Sequence, residues 1–489
     1  MKKTTAKVAG VLVILLLVGL AGVFWFYTSY LVVDGQVYER DAAELDLSGK
    51  QVPDLEKLAE LTELKQLDLR GTGLTTEEYE EIRRLLPECT VLWSVPFQSA
   101  YLEEDTAEVK VTTLTEADVE QMKYLPNLTS VDATGCKDYD AIMQLKEARP
   151  EVDVRYRVSV NGREYEGNTT ELVLENADIQ ELEQAIAYLP LLTRVTFTGA
   201  IADSEQIAAL KEAYPGITFV WDFEVLGIAA NSLDEELILS GIEMETVEAV
   251  ENALKYFYNL KRVEMCDCGI PSEEMDALWK RHPETRFVWT VQVGVCKLRT
   301  DVTTFMPYKF GYDGYSKLFD KHMAEMKYCV DLICLDMGHM GISDYSFLEY
   351  MPNMKYLILA GTKGTDFSAL ANLKELVFLE LFMTKFDQAE VLTGLTKLED
   401  LNIGNAGIDN VEPLKQMTWL KRLWLPATRN VWRVEREALQ EALPDTIVNF
   451  AGMGSTDEGW RESPNYYAMR DLLGMGYFPG YERGEKSRS

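Results

Sequence analysis

A fixed spacing of 22 residues constrains this chain more than any other feature. Between residues 332 and 425 apolar side chains recur as L-x-x-L-x-L, at Leu332/Leu335/Met337, Met354/Leu357/Leu359, Leu376/Leu379/Leu381, Leu398/Leu401/Ile403 and Leu420/Leu423/Leu425. The same spacing appears earlier, at Ala42/Leu45/Leu47 and Leu64/Leu67/Leu69. In L-x-L both apolar side chains of a short strand point to one face, because strand residues alternate. One such strand cannot bury that face alone. A return segment must carry the chain back so that the next copy stacks beside it, giving a parallel sheet with a shared interior. In the return segment Ile408, Val411 and Leu414 lie three apart, a spacing that predicts a 3₁₀-like turn rather than a full helix.

A longer unit lies between these two stretches. Leu128/Val131/Ala133, Leu192/Val195/Phe197 and Leu260/Val263/Met265 repeat the motif every 64 to 68 residues. Each of these, like the Leu64 copy before them, is followed by a helical pattern that stops before a proline, and the four breaks are Pro87, Pro150, Pro215 and Pro283. Strict alternation then predicts half-buried strands at Val91/Trp93/Val95, Val154/Tyr156/Val158, Phe219/Trp221/Phe223 and Phe287/Trp289/Val291. A helix over 435–443, then Pro444 and Val448/Phe450, closes the 22-residue array in the same way.

The 332–425 array resembles the internalin-type bacterial leucine-rich repeat, with looser copies over 42–300. The resemblance implies an α/β leucine-rich-repeat solenoid with a parallel sheet on its concave face, and partner binding at that face. One departure is marked. Where the family has a buried asparagine ladder, the ninth place here holds Thr72, Cys136, Ala200, Cys268, Thr362, Thr384, Ala406 and Thr428. A continuous amide ladder cannot form, and Cys136 and Cys268 become small buried hydrophobes.

The N-terminus carries a second signal. Lys2, Lys3 and Lys7 precede an uncharged run over 8–33 whose apolar heart matches the thickness of a bilayer. Gly19 and Ala21 offer a weak signal-peptidase exit, but Val23-Phe24-Trp25-Phe26-Tyr27 continues the run past it. The expectation is a cytoplasmic stub (1–7), an uncleaved transmembrane anchor (8–30) and an extracytoplasmic remainder. That remainder divides into long-unit repeats (37–300), an irregular junction (301–331), the 22-residue array with its closing helix and strand (332–450), and an aromatic tail (451–489). With 80 acidic against 48 basic residues, net charge is -32, which disfavours nucleic acid and anionic lipid.

Catalytic signatures are missing. His282, His322 and His339 stand in no metal-ligand spacing, and His339 falls in the loop Asp336-Met337-Gly338-His339-Met340 leaving a strand. The seven cysteines fit no disulfide or zinc framework, and no phosphate loop or nucleophile elbow is present. No cofactor is expected, and the chain reads as a binding or scaffolding protein rather than an enzyme. The third, fifth and seventh places of each repeat project from the concave sheet. They are polar in the early repeats (Glu44, Asp46, Ser48, Gln66, Asp68, Arg70, Ser130, Asp132, Thr134) and turn apolar later. Tyr356, Ile358, Phe378, Glu380, Phe382, Arg422 and Trp424 are therefore the predicted contact patch for a protein or peptide partner. On that reading, alanine at Phe378 and Trp424 would abolish partner capture with little loss of stability. The competing reading is coverage by the tail itself, with Trp460, Tyr466, Tyr467, Tyr477, Phe478 and Tyr481. The junction, with Phe305, Met306, Tyr308, Phe310, Tyr312 and Tyr315, is a second candidate lid. A structural envelope spacer with no defined ligand is the alternative function.

Overall fold

The computed structural model describes residues 2–199, 203–312, 316–454 and 457–475, with backbone alone at 2–11, 13, 14, 457 and 458. Ala200, Tyr315, Tyr477, Phe478 and Tyr481 lie outside the described residues. The chain divides into two compact units, Met1–Trp221 and Asp222–Ser489.

The first unit opens with a helix over Lys2–Ser29 and a hairpin of Tyr30–Val33 with Gln36–Glu39. Three-stranded parallel sheets follow. In the first, Leu45, Leu67 and Val91 stand side by side on strands Glu44–Asp46, Gln66–Asp68 and Thr90–Leu92. The next two are built the same way, on Glu108–Lys110, Ser130–Ala133 and Asp153–Val160, then on Glu171–Glu175, Arg194–Thr198 and Thr218–Val220. The helix of each long unit ends where its proline requires, as Thr76–Leu85 does before Pro87. Thr75 and Glu78 close a capping box at its start, and Tyr79 and Ile82 face the core.

The alternating segments do more than expected. Asp153–Val160 pairs parallel to Ser130–Ala133 over its first half, then antiparallel to Arg163–Glu166 over its second. The intervening Asn161 and Gly162 both take positive φ (52° and 70°), the geometry of a tight hairpin turn. Each long unit is thus a three-strand solenoid segment ending in a hairpin. The Asn-Gly pair is a sequence signal for such a turn, left unused when the segment was read by alternation alone.

In the second unit, Glu236–Ile238, Arg262–Met265 and Arg286–Val293 form another such sheet, and the last strand turns into a hairpin with Cys296–Arg299. A seven-stranded parallel sheet then runs from Thr304–Phe305 to Ile447–Asn449. Its register aligns Leu335, Leu357, Leu379, Leu401 and Leu423 in one fully buried column. The expected junction contributes the first of these strands. Phe305 pairs with Leu335 and is buried, so the array starts inside 301–331 rather than after it. Return segments are 3₁₀ turns, Ser346–Tyr350, Ser368–Asn372, Ala389–Leu392 and Glu412–Gln416, and the helix Arg433–Ala442 leads into the last strand.

Threonine does the work of the absent amide ladder one turn at a time. Thr362, Thr384 and Thr428 each donate their hydroxyl to the carbonyl three residues back, at 2.5, 2.7 and 2.7 Å. Thr72 does the same to Leu69. All seven cysteines are free and buried; burial pushes the Cys329 thiol up to about 12 and the Cys296 thiol up to about 11, so neither is an activated nucleophile.

Candidate functional site

The sheet register places the projecting side chains in three columns. Third places run Cys334, Tyr356, Phe378, Asp400, Arg422; fifth places run Asp336, Ile358, Glu380, Asn402, Trp424. Seventh places are Gly338, Ala360, Phe382, Gly404 and Pro426. Neighbours within a column are one strand spacing apart, about 4.8 Å, so the seven predicted contact residues do form one patch.

That patch is not open. The chain after the last strand returns across it as a 3₁₀ turn, Asp457–Glu462, and a helix, Pro464–Leu472. Trp460, Tyr466, Tyr467, Met469 and Leu473 pack with Ile358, Phe378, Phe382 and Trp424 into a single apolar cluster. Phe378 has no exposed surface and Trp424 is 3% exposed. The rings of Phe378 and Trp460 lie 5.0 Å apart, and those of Trp424 and Trp460 5.6 Å. The expectation that Phe378 and Trp424 can be cut back at little cost in stability is therefore corrected. Both are core residues beneath the tail.

Polar groups fix the register of this lid. Trp460 Nε1 donates to Glu380 Oε2 at 2.8 Å. Arg422 donates to the carbonyls of Gly459 and Trp460 while stacking over Trp424, 4.4 Å from the ring centre. Ser463 caps the tail helix by accepting from Asn465 N–H, and its hydroxyl donates to Asp400. Asn465 Nδ2 donates to Glu399 and Asp400 at 3.0 and 3.2 Å. Burial raises the Asp400 carboxyl above its ordinary value, with Ser463, Arg422 and Asn465 pulling it back. The column position of Asp400 was legible in the sequence. Its partners were not, because nothing in residues 457–475 announces which strand they will cross.

The lid stops short of the first repeats and leaves a cavity of about 440 Å³. Its floor is Asp336, Gly338, Ile358, Ala360 and Glu380; Met306 and Tyr308 form one wall; Arg461, Tyr466, Met469 and Arg470 of the tail form the other. Tyr308 and His339 stand exposed at its mouth. Among the described residues no group of three or more His, Cys, Asp or Glu is arranged to hold a metal ion.

The fold is that of a leucine-rich-repeat protein, and its 22-residue array is internalin-like in period and register. No protein-family model matches the chain, and no curated protein matches it. Among solved structures, internalin C2 of Listeria monocytogenes is similar at 19% identity over 44% of this chain and 80% of that one, with a TM-score of 0.26. Internalin InlF of the same organism is 14% identical over 85% of this chain and 84% of its own, with a TM-score of 0.24. A leucine-rich-repeat protein of Leptospira interrogans is 17% identical over 84% and 96%, with a TM-score of 0.28.

Proposed function

We propose that this chain is a membrane-anchored, extracytoplasmic recognition protein, and not an enzyme, whose concave C-terminal face grips a protein or peptide segment. The observation that carries the reading is how the face holds its own tail. Arg422 reads two consecutive main-chain carbonyls, those of Gly459 and Trp460. An indole fills the apolar hollow between Phe378 and Trp424. Main-chain hydrogen bonds with one buried aromatic anchor are the means by which a surface holds an extended peptide. A partner would use the same contacts after displacing the tail.

Anchoring belongs to the same proposal. Among the described residues no helix is long and apolar enough to cross a membrane; in the Lys2–Ser29 helix those side chains are Leu12 and 15–29. The backbone helix extends over 28 residues, roughly 42 Å at 1.5 Å per residue. Leu15, Leu16, Leu17, Val18, Val23, Phe24 and Trp25 are all exposed. They lie around the whole helix rather than on one stripe, which suits hydrocarbon better than a protein neighbour.

A labelled peptide of sequence 457–475 tests the binding surface. It should bind the full chain carrying Trp460→Ala, whose own tail is loosened, and should not bind the unmodified chain. Binding to neither favours a second reading, a structural spacer in which the covered face is simply core; the full burial of Phe378 is the observation on that side. Equal binding to both chains would place the peptide elsewhere and overturn the proposal. For the anchor, the full chain should stay with membranes through alkaline carbonate washing and be digested by protease added outside intact cells. Release by carbonate, or full protection, refutes it.

A further inference from the structure

A hydrogen-bonding pattern at the fifth and seventh places sets one aspartate apart. In the early repeats a fifth-place aspartate accepts the N–H of the seventh-place residue, and that residue's side chain donates as well. Ser48 gives both its N–H (2.9 Å) and its hydroxyl (2.6 Å) to Asp46. Thr134 treats Asp132 in the same way, at 3.1 and 2.7 Å. Arg70 adds its guanidinium to Asp68, with Nη2 at 2.6 Å. The side-chain bonds are the largest cause holding all three carboxyls below their ordinary value.

Asp336 keeps only half of this arrangement. Gly338 N–H donates to its Oδ1 at 2.9 Å, but glycine has no side chain to add, and among the described residues nothing else hydrogen-bonds the carboxylate. Burial pushes its carboxyl up, while His339, Arg470 and Arg461 act on it only at a distance. The same glycine, together with Ala360, opens the space that Phe382 fills in the next repeat, and Asp336 lines the resulting cavity. A half-buried carboxylate with unused lone pairs, lining a half-apolar cavity, is placed to accept from a ligand's donor.

We infer that this cavity binds a small zwitterion carrying a primary ammonium and a carboxylate on an apolar body, the chemistry of an apolar or aromatic amino acid or dipeptide. The ammonium sits on Asp336. The carboxylate meets Arg461 and Arg470, whose guanidinium groups have five donors each and can serve it beside the partners they already hold. The cavity carries two carboxylates, Asp336 and Glu380, and two guanidiniums, so a molecule of zero net charge matches it better than a simple amine or acid. Met306, Met340 and Met469 supply a deformable apolar lining. The volume falls within the range of sites for molecules of this size. The cavity exists only with the tail docked, so the inference does not depend on a partner displacing that tail.

Calorimetric titration of the full chain in detergent micelles tests it, with L-phenylalanine and phenylalanyl-leucine as probes. Phenethylamine lacks the carboxylate and 3-phenylpropionate lacks the ammonium. At least one zwitterion should bind, with both single-charge analogues about tenfold or more weaker. Asp336→Asn should weaken the zwitterion and phenethylamine about tenfold or more, and leave 3-phenylpropionate unchanged. Ala360→Leu, which fills the cavity without touching a charge, should remove binding of all the probes. The inference is overturned by any one of three results. They are no heat from either zwitterion up to about 10 mM, equal binding of 3-phenylpropionate, or an Asp336→Asn chain that binds as the unmodified one does.

Discussion

The indole of Trp460 donates its Nε1–H to Glu380 Oε2 at 2.8 Å, joining the tail to a strand 80 residues earlier, with both side chains buried. The contact serves two needs at once, since the ring fills an apolar hollow and its N–H gives a buried carboxylate a hydrogen bond. Trp460→Ala should therefore cost about 3 to 5 kcal/mol from lost packing alone. Trp460→Phe should keep most of the packing and lose about 1.5 to 3 kcal/mol with the hydrogen bond to a charged group. Chemical denaturation read by tryptophan fluorescence separates the two. A phenylalanine variant as stable as the parent would show that the hydrogen bond contributes nothing.

The face beneath the tail behaves as core. Phe378→Ala should destabilise the second unit by about 3 to 5 kcal/mol, in contrast to a solvent-facing contact residue. Differential scanning calorimetry decides it. An unchanged transition would return Phe378 to the surface.

How much of this was readable beforehand depends on the range of the signal. The column Leu357/Leu379/Leu401/Leu423 was fixed by local alternation and a constant period, and both survive in any copy of the motif. The grouping of Phe378, Glu380, Arg422 and Trp424 followed from the same register. Their burial did not, because coverage depends on where Trp460 lands, and a segment joined by a short connection can cross several strands. The aromatic richness of the tail was the available signal, and it left exposure and self-coverage both open. The hairpins were missed for another reason: period two describes Asp153–Val160 equally well whether its partner is parallel or antiparallel. Asp336 was passed over as one acid among 80, and only the missing side chain at Gly338 distinguishes it.

The eighth place of the repeat is left-handed throughout the array. His339, Gly361, Met383, Asn405 and Ala427 have φ of 62°, 69°, 59°, 48° and 54°. Only glycine takes this conformation without steric cost, and asparagine takes it more easily than the rest. Ala427→Gly and Met383→Gly should therefore each stabilise the array by about 0.5 to 1 kcal/mol. Gly361→Ala should do the reverse, since its Cβ would also stand 2.6 Å from His339 Nδ1. Denaturation midpoints give the answer, and a loss of stability with glycine at 427 would contradict the assignment.

Acid should weaken the network around Asp301. Burial alone would raise its carboxyl, but hydrogen bonds from Arg299 and Arg262 prevail and hold it at about 2. A depressed folded value means that the stabilisation is complete above the unfolded value near 3.8 and is lost as pH falls through about 2. Asp301→Asn should thus cost about 2 kcal/mol at neutral pH, and parent and variant should converge towards pH 2. A difference that persists unchanged in acid would assign the loss to packing.

Asp336 should respond in the opposite sense. Burial raises its folded value, so the folded chain takes up a proton more readily than the unfolded one, and stability rises as pH falls through that value towards the ordinary carboxylate range. When ionised, the half-buried carboxylate has a single N–H donor in the cavity and is partly desolvated. Asp336→Asn keeps the acceptor for Gly338 and removes the charge, so it should stabilise the chain at pH 7 by about 1 to 3 kcal/mol, the gain shrinking as pH falls towards about 4 and vanishing below it. Asp132→Asn, at the same place of an earlier repeat, should destabilise instead, because the Thr134 hydroxyl and N–H already favour its ionised form. Paired pH–stability profiles of the two variants test the contrast. A residue that makes the empty protein less stable and holds a ligand's ammonium has a reason to be there; one that stabilises at neutral pH, as Asp132 does, needs no ligand to explain it. If Asp336→Asn proves destabilising at pH 7, Asp336 falls into the second class and the cavity loses its anchor.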